Sequence, residues 1–239
     1  MQQLERVQAG IDRLAAVAHI EGAEAIDPDL HALELLHAAG LRSLGPVWSR
    51  PNAFAHGVPF AYPSSPDIGP GLTAAGVRLV RRCAELGIAV DLSHLNEQGF
   101  WDVAKLGLAP LIASHSGAHA LCPASRNLTD EQLDAIGASG GLVGIVYAVH
   151  FVRSDGAEDA DTPLETIAAH VRHVADRIGV DHVALGSDFD GATIPDALGD
   201  VTGLPRLLDA IRATGFSEDE MERIAWGNWR RVLEAAWAT

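Results

Sequence analysis

The chain has 239 residues, 48% of them hydrophobic and only 5% aromatic, with a formal charge of −15. That length holds one large α/β domain or two small ones, and a negative balance with no basic stripe speaks against a nucleic-acid partner. No window approaches ~18 uninterrupted apolar residues, so no membrane span is expected, and the two cysteines, Cys83 and Cys122, are too few for a disulfide framework and suit a cytoplasmic, reducing setting.

Apolar runs alternate with amphipathic helical patterns, the mark of repeated βα units. The charged N-terminus reads as a helix over 3–14, not a signal peptide, and VAHIEG (17–22) as a first strand. Leu30, Leu33, Leu35 and Leu36 recur at helical spacing within a helix over 29–39, and LRSLG (41–45) supplies the second strand. Residues 46–71 carry six prolines and form a long irregular loop, of the kind that is either functional or disordered.

Thr73 can cap a helix running to about residue 86, followed by a third strand, IAVDLSH (88–94). A helix over 96–106 leads to the fourth strand, PLIASHS (110–116). Thr129 and Gln132 make a capping box for a helix over 129–138, and GGLVGIVYA (140–148) is the fifth strand. A helix over 163–178 precedes the sixth strand, DHVALGSD (181–188), and Ser217 with Glu220 forms a second capping box before a last helix over 218–237.

Six short, nearly all-apolar strands, each followed by a helix, imply a parallel sheet buried on both faces. Right-handed crossovers leave a doubly wound sheet or a (β/α) barrel. No G-x-G-x-x-G follows the first strand and no P-loop is present, which favours the barrel.

A parallel barrel places its chemistry at the C-terminal strand ends. Four strands end in a potential ligand: Glu21, His94, His115 and Asp188. Each has a plain structural explanation alone: a loop acid, a capping neighbour, a buried imidazole, a turn aspartate. Two imidazoles and two carboxylates at one mouth instead match the mixed N/O preference of Zn²⁺. Of eleven histidines, His31, His37, His170 and His173 fall within helical patterns and are expected at the surface. Arg126 can clamp a substrate carboxylate or pair with Asp130 at the surface. Cys83 reads as structural; Cys122 lies near the mouth without an evident base.

With these residues placed, the chain resembles the membrane (renal) dipeptidase family of zinc peptidases, within the amidohydrolase superfamily. The resemblance runs through IEGAEAI, GLRSL, GPGLTAAG, DLSHL, SHSGAHALCPASRNLTD, LGSDFDG and GNWRRVL. It implies a bridging glutamate at Glu21, two histidines of a second zinc at His94 and His115, a first-zinc and proton-shuttling aspartate at Asp188, and a carboxylate-gripping arginine at Arg126. The implied activity is zinc-dependent hydrolysis of a dipeptide or similar small amide by an attacking hydroxide generated at the metal.

Two departures qualify it. The family's His-x-Asp strand, which completes the first zinc site, has no counterpart in this sequence. The expectation is therefore a single (β/α) TIM-like barrel domain over 1–239, N-terminally truncated, with six of eight strands and the first two missing. Such a chain is expected to bind one metal well and a second weakly. Open edges are costly, so the chain either packs on a partner subunit, as in a homodimer, or begins downstream of the true start. Second, the family's carbonyl-polarising histidine falls on Trp48, with His56 a conceivable substitute. The departures keep open a lactone or ester hydrolase on the same scaffold, and a catalytically silent binding protein.

Overall fold

The computed structural model describes residues 15–238; the helix expected over 3–14 lies outside them. The described residues hold six strands: β1 (Ala18–Glu21), β2 (Leu41–Gly45), β3 (Ala89–Val90), β4 (Ile112–Ser116), β5 (Leu142–Val146) and β6 (Val183–Ser187). Every ladder is parallel, in two sheets ordered β1-β2-β3 and β4-β5-β6. A parallel bridge between Asp91 and Ile112 joins them. Each strand therefore lies beside its neighbour in sequence, as a (β/α) wall requires.

The helices are α1 (His31–Ala38), α2 (Ala74–Glu85), α3 (Glu97–Lys105), α4 (Asp130–Ala138), α5 (Val149–Val152), α6 (Leu164–Ile178), α7 (Leu204–Arg212), α8 (Glu218–Glu222) and α9 (Asn228–Ala236). Their starts follow the capping residues. Thr73 Oγ1 accepts from Gly76 N at 3.0 Å, and both expected capping boxes form, Thr129 with Gln132 and Ser217 with Glu220. Asn96 caps α3 through Oδ1 while its Nδ2 donates to the carbonyls of Ile68, Gly69 and Pro70. One buried amide thereby ties a helix start to the proline-rich loop.

Four local expectations are corrected. The third strand is only two residues long in the ladder, because Asp91 and Ser93 divert their side chains to the backbone of β4: Ser114 N donates to Asp91 Oδ1 at 2.8 Å and His115 N to Ser93 Oγ at 3.0 Å. The last helix is interrupted by a π turn at Arg223–Gly227, immediately before Asn228 and Trp229, whose side chains donate to carbonyls of β6 (Val183 and Leu185). His170 is 1% exposed: Ala118 N donates to its Nδ1 at 2.9 Å and its Nε2 lies 3.0 Å from Val152 O, so it clamps α6 to α5 and to the loop after β4. Finally, α7 is an element the helical reading passes over, although Pro205 in its first turn and the spacing of Leu204, Leu207, Leu208 and Ile211 mark it.

Apolar side chains fill both faces of the wall. Leu133, Ile136, Val143, Ile145, Ile167 and Val171 pack between β5 and helices α4 and α6, within the largest buried cluster. Leu33, Leu44, Leu79 and Ile88 pack β2 and β3 against α1 and α2. A third group joins Ala89, Ile112, Leu142 and Ala184, near the beginnings of β3 to β6, to Val232, Trp229 and Leu233 of α9. Just beyond α9, Trp237 Nε1 donates to Arg42 O of β2 at 3.0 Å. The last helix thus covers the foot of the wall, opposite the strand ends that carry the candidate ligands. No helix among the described residues is long and apolar enough to cross a membrane.

Candidate metal centre

β1 ends at Glu21, β4 carries His115, and His94 follows the short β3 in a turn with φ 69°. Among the described residues the non-glycine residues with positive φ are Leu30, His94, Ser187, Asp188 and Asp190, so four of these five sit in the two segments that reach the mouth. Such backbone persists only where surrounding contacts over-determine it. In GSDFDG the first glycine is required by space and the second leaves room for the Asp188 carboxylate. A Cβ on Gly186 would lie 2.6 Å from Ser114 O, and one on Gly191 would lie 2.4 Å from Asp188 Oδ1.

Three expected ligands meet. His94 Nε2 lies 2.8 Å and His115 Nε2 3.0 Å from Glu21 Oε1, and the two ring nitrogens are 3.0 Å apart. Glu21, His94 and His115 each place a ligand atom within 4.8 Å of the others. Ser49 Oγ lies 2.7 Å from His94 Nδ1, and Ser114 Oγ 2.7 Å from His115 Nδ1. In both rings Nδ1 is therefore engaged from behind while Nε2 faces the carboxylate. The imidazoles of His115 and His94 hold the Glu21 carboxyl far below the usual carboxylate range. Burial, reinforced by the Arg126 charge, pushes His94 down to about 3, so it is neutral at physiological pH. A charged carboxylate beside a neutral imidazole is the donor set a divalent cation takes.

Asp188 stands apart from this trio. It lines the same cavity, of about 300 Å³, with Glu21, Trp48, Phe60, His94 and His150, but its carboxylate lies outside the 4.8 Å cluster. Asp190 is exposed and does not line the cavity. Arg126 is neither a surface residue nor a partner of Asp130, which binds His173 and Arg177 instead. It is 4% exposed, with Nη2 donating to His115 O at 2.9 Å and lying 3.4 Å from His94 Nε2. Its guanidinium carbon is 5.5 Å from the centre of the Phe151 ring, and its buried Nε has no hydrogen-bond partner. Burial lowers it only to about 10, so it stays cationic.

Trp48 does line the cavity, its ring 5.8 Å from that of His94. His56 does not line it; its ring lies against Gly69. Besides His94, the cavity is lined by His150, beside Glu158 and Thr193. His150 sits four residues beyond the end of β5, so the same strand-end signal that marks Glu21 and His115 could have found it. Burial raises the Cys83 thiol to about 12 and Cys122 to about 11, leaving neither as a thiolate nucleophile.

Comparison with known proteins identifies the family. The family model described as membrane dipeptidase (peptidase family M19) matches residues 1–239. The chain belongs to the membrane dipeptidase family.

Its relatives in that family differ in length. It is 52% identical over 224 residues to an uncharacterized protein in the pqqA 5′ region of Klebsiella pneumoniae, covering 94% of this chain and 83% of that one. It is 32% identical to dipeptidase tcpJ of Claviceps purpurea, covering 92% of this chain and 51% of that protein. A crystal structure of a metallo peptidase from Rhodobacter sphaeroides, liganded with a phosphinate mimic of the dipeptide L-Ala-D-Ala, superposes with a TM-score of 0.91 at 56% identity. It is matched over 92% of this chain and 63% of that one. The chain thus spans about half the length of the fungal dipeptidase and under two thirds of the bacterial peptidase. An amidohydrolase from Burkholderia multivorans, 14% identical with a TM-score of 0.55, shares the fold alone.

Proposed function

We propose that this chain is a metal-dependent dipeptidase, with zinc as the metal, built on a single TIM-like (β/α)-barrel domain of the metal-dependent hydrolase type. The observation that carries the reading is the convergence of Glu21, His94 and His115, from three strand ends, with both Nε2 atoms turned to one carboxylate oxygen. Family membership and the dipeptidase names of its relatives support the substrate class.

Glu21, His94 and His115 would hold the ion, and when bound it supplies Lewis acidity toward a carbonyl and acidifies a water. Asp188, on the cavity wall, takes the proton of the attacking water and returns it to the leaving amine. Arg126, cationic and buried behind His94 and Phe151, favours the substrate's terminal carboxylate. Trp48, Phe60 and Phe151 give the cavity an apolar wall that limits access of bulk water. Two unpaired, buried cysteines support a cytoplasmic setting.

A panel of dipeptides, N-acyl amino acids and lactones, assayed with and without Zn²⁺, tests the reading. Metal-dependent release of amino acids from dipeptides is the expected result. Faster turnover of a lactone, or no hydrolysis of any dipeptide by metal-loaded protein, overturns it.

A further inference from the structure

The metal-facing side of His115 is set from behind by a chain of hydrogen bonds. Asp91 is 2% exposed, and its Oδ1 accepts from two backbone donors, Ser93 N at 3.0 Å and Ser114 N at 2.8 Å. Its Oδ2 lies 2.5 Å from Ser114 Oγ, and that hydroxyl lies 2.7 Å from His115 Nδ1. His19 Nε2 is 3.9 Å from the same carboxylate.

Proton counting fixes the direction of each bond. An ionised carboxylate only accepts, so Ser114 spends its one hydroxyl proton on Asp91. The serine oxygen can then only accept from the ring, which puts a proton on His115 Nδ1 and leaves Nε2, 3.0 Å from Glu21 Oε1, as the ring atom free to turn to a cation. Ser93 Oγ, accepting from His115 N at 3.0 Å, fixes the backbone that carries the ring.

We propose that Asp91 and Ser114 are positioning residues that lock His115 in its Nδ1–H form, so that Nε2 is presented ready to ligate a divalent cation. This explains why both motifs carry more than their histidines. The Asp and Ser of D-L-S-H and the Ser before His115 in A-S-H-S join two strand ends and set one tautomer. It rests on the metal-centre reading but not on the identity of the substrate.

The test uses the full chain, metal-free and labelled with ¹⁵N. Long-range ¹H–¹⁵N correlation should show a proton on His115 Nδ1; an unprotonated Nδ1 in the wild-type protein overturns the proposal, with no variant needed. Asp91→Asn keeps the shape but offers an NH₂ to Ser114, which turns the hydroxyl proton toward the ring and moves the ring proton to Nε2. Ser114→Ala removes the link. Both variants, checked for folding by circular dichroism, should raise the Zn²⁺ dissociation constant by about 10- to 100-fold against a chromophoric chelator. Folded variants with unchanged affinity and tautomer refute it. A chain that shows the expected tautomer and affinity loss yet cleaves no dipeptide would sink the dipeptidase reading and leave this one standing.

Discussion

Glu21 Oε1 and His94 Nε2 lie 2.8 Å apart across 73 residues of sequence. His115 completes the contact from a third strand, and in the unfolded chain none of these groups is near another. Binding a cation there is consequently coupled to folding. After dialysis, elemental analysis of the zinc-loaded protein should find one firmly held ion per chain. His94→Ala or His115→Ala should lose it, while Asp188→Asn, outside the cluster, should keep it. Two firmly held equivalents in the wild type, or retention by either histidine variant, would contradict this assignment.

In the proposed reaction Asp188, on the cavity wall, handles a proton and does not hold the chain together. Substitution Asp188→Asn should lower kcat by about 10²- to 10⁴-fold, the usual contribution of a positioned acid–base group. Its melting temperature should stay close to that of the wild type. Full turnover in the variant would remove Asp188 from the reaction.

His170 gives the fold an acid sensitivity away from the metal centre. Burial pushes its imidazole down to about 4, whereas the unfolded chain takes up the proton near 6.5. Between those values the unfolded state binds the extra proton, so stability is fully present above about pH 6.5 and falls as the pH drops toward 4. The whole window is worth about 3 kcal/mol for this group. His94 slopes the same way, so the comparison must be made against a variant. Calorimetric melting of His170→Gln should show a shallower decline across pH 6.5 to 4, on top of a lower starting stability. Parallel curves would mean that His170 contributes nothing to the decline.

Asn96 joins a helix start to the loop that brings Trp48 and Phe60 to the cavity. Asn96→Ala removes a cap and leaves the carbonyls of Ile68, Gly69 and Pro70 without that donor. A loss of about 2–4 kcal/mol in urea unfolding is expected. Thr129→Ala, which breaks a capping box at α4, should lose only about 1 kcal/mol. Equal losses in the two variants would show that the loop contacts of Asn96 carry no weight.

The convergence of Glu21, His94 and His115 is legible in the sequence because a short parallel strand ends abruptly in one polar side chain, and the fold sends all such ends to one side. Capping boxes are legible for a similar reason, since both partners lie within one turn. What escapes is geometry that depends on residues far apart. Nothing near His170 reveals that Ala118 and Val152 will engage both of its nitrogens. The shortness of β3 depends on side-chain bonds from Asp91 and Ser93 to a strand some twenty residues on. Arg126 reads equally well as a surface or an interior residue until the fold closes His94 and Phe151 around it. His150 follows β5 by four residues, and the strand-end signal points to it only when the search runs one helical turn past the strand.

α9 closes the foot of the wall with Trp229, Val232 and Leu233, while the mouth is assembled from side chains at the strand ends, on α5 and in the loops. Engineering can therefore treat the two ends as separate dials. Randomising Trp48, Phe60, His150, Glu158 and Thr193 would retune which molecules are admitted, and the heat tolerance of the scaffold could be raised independently by repacking around Val232.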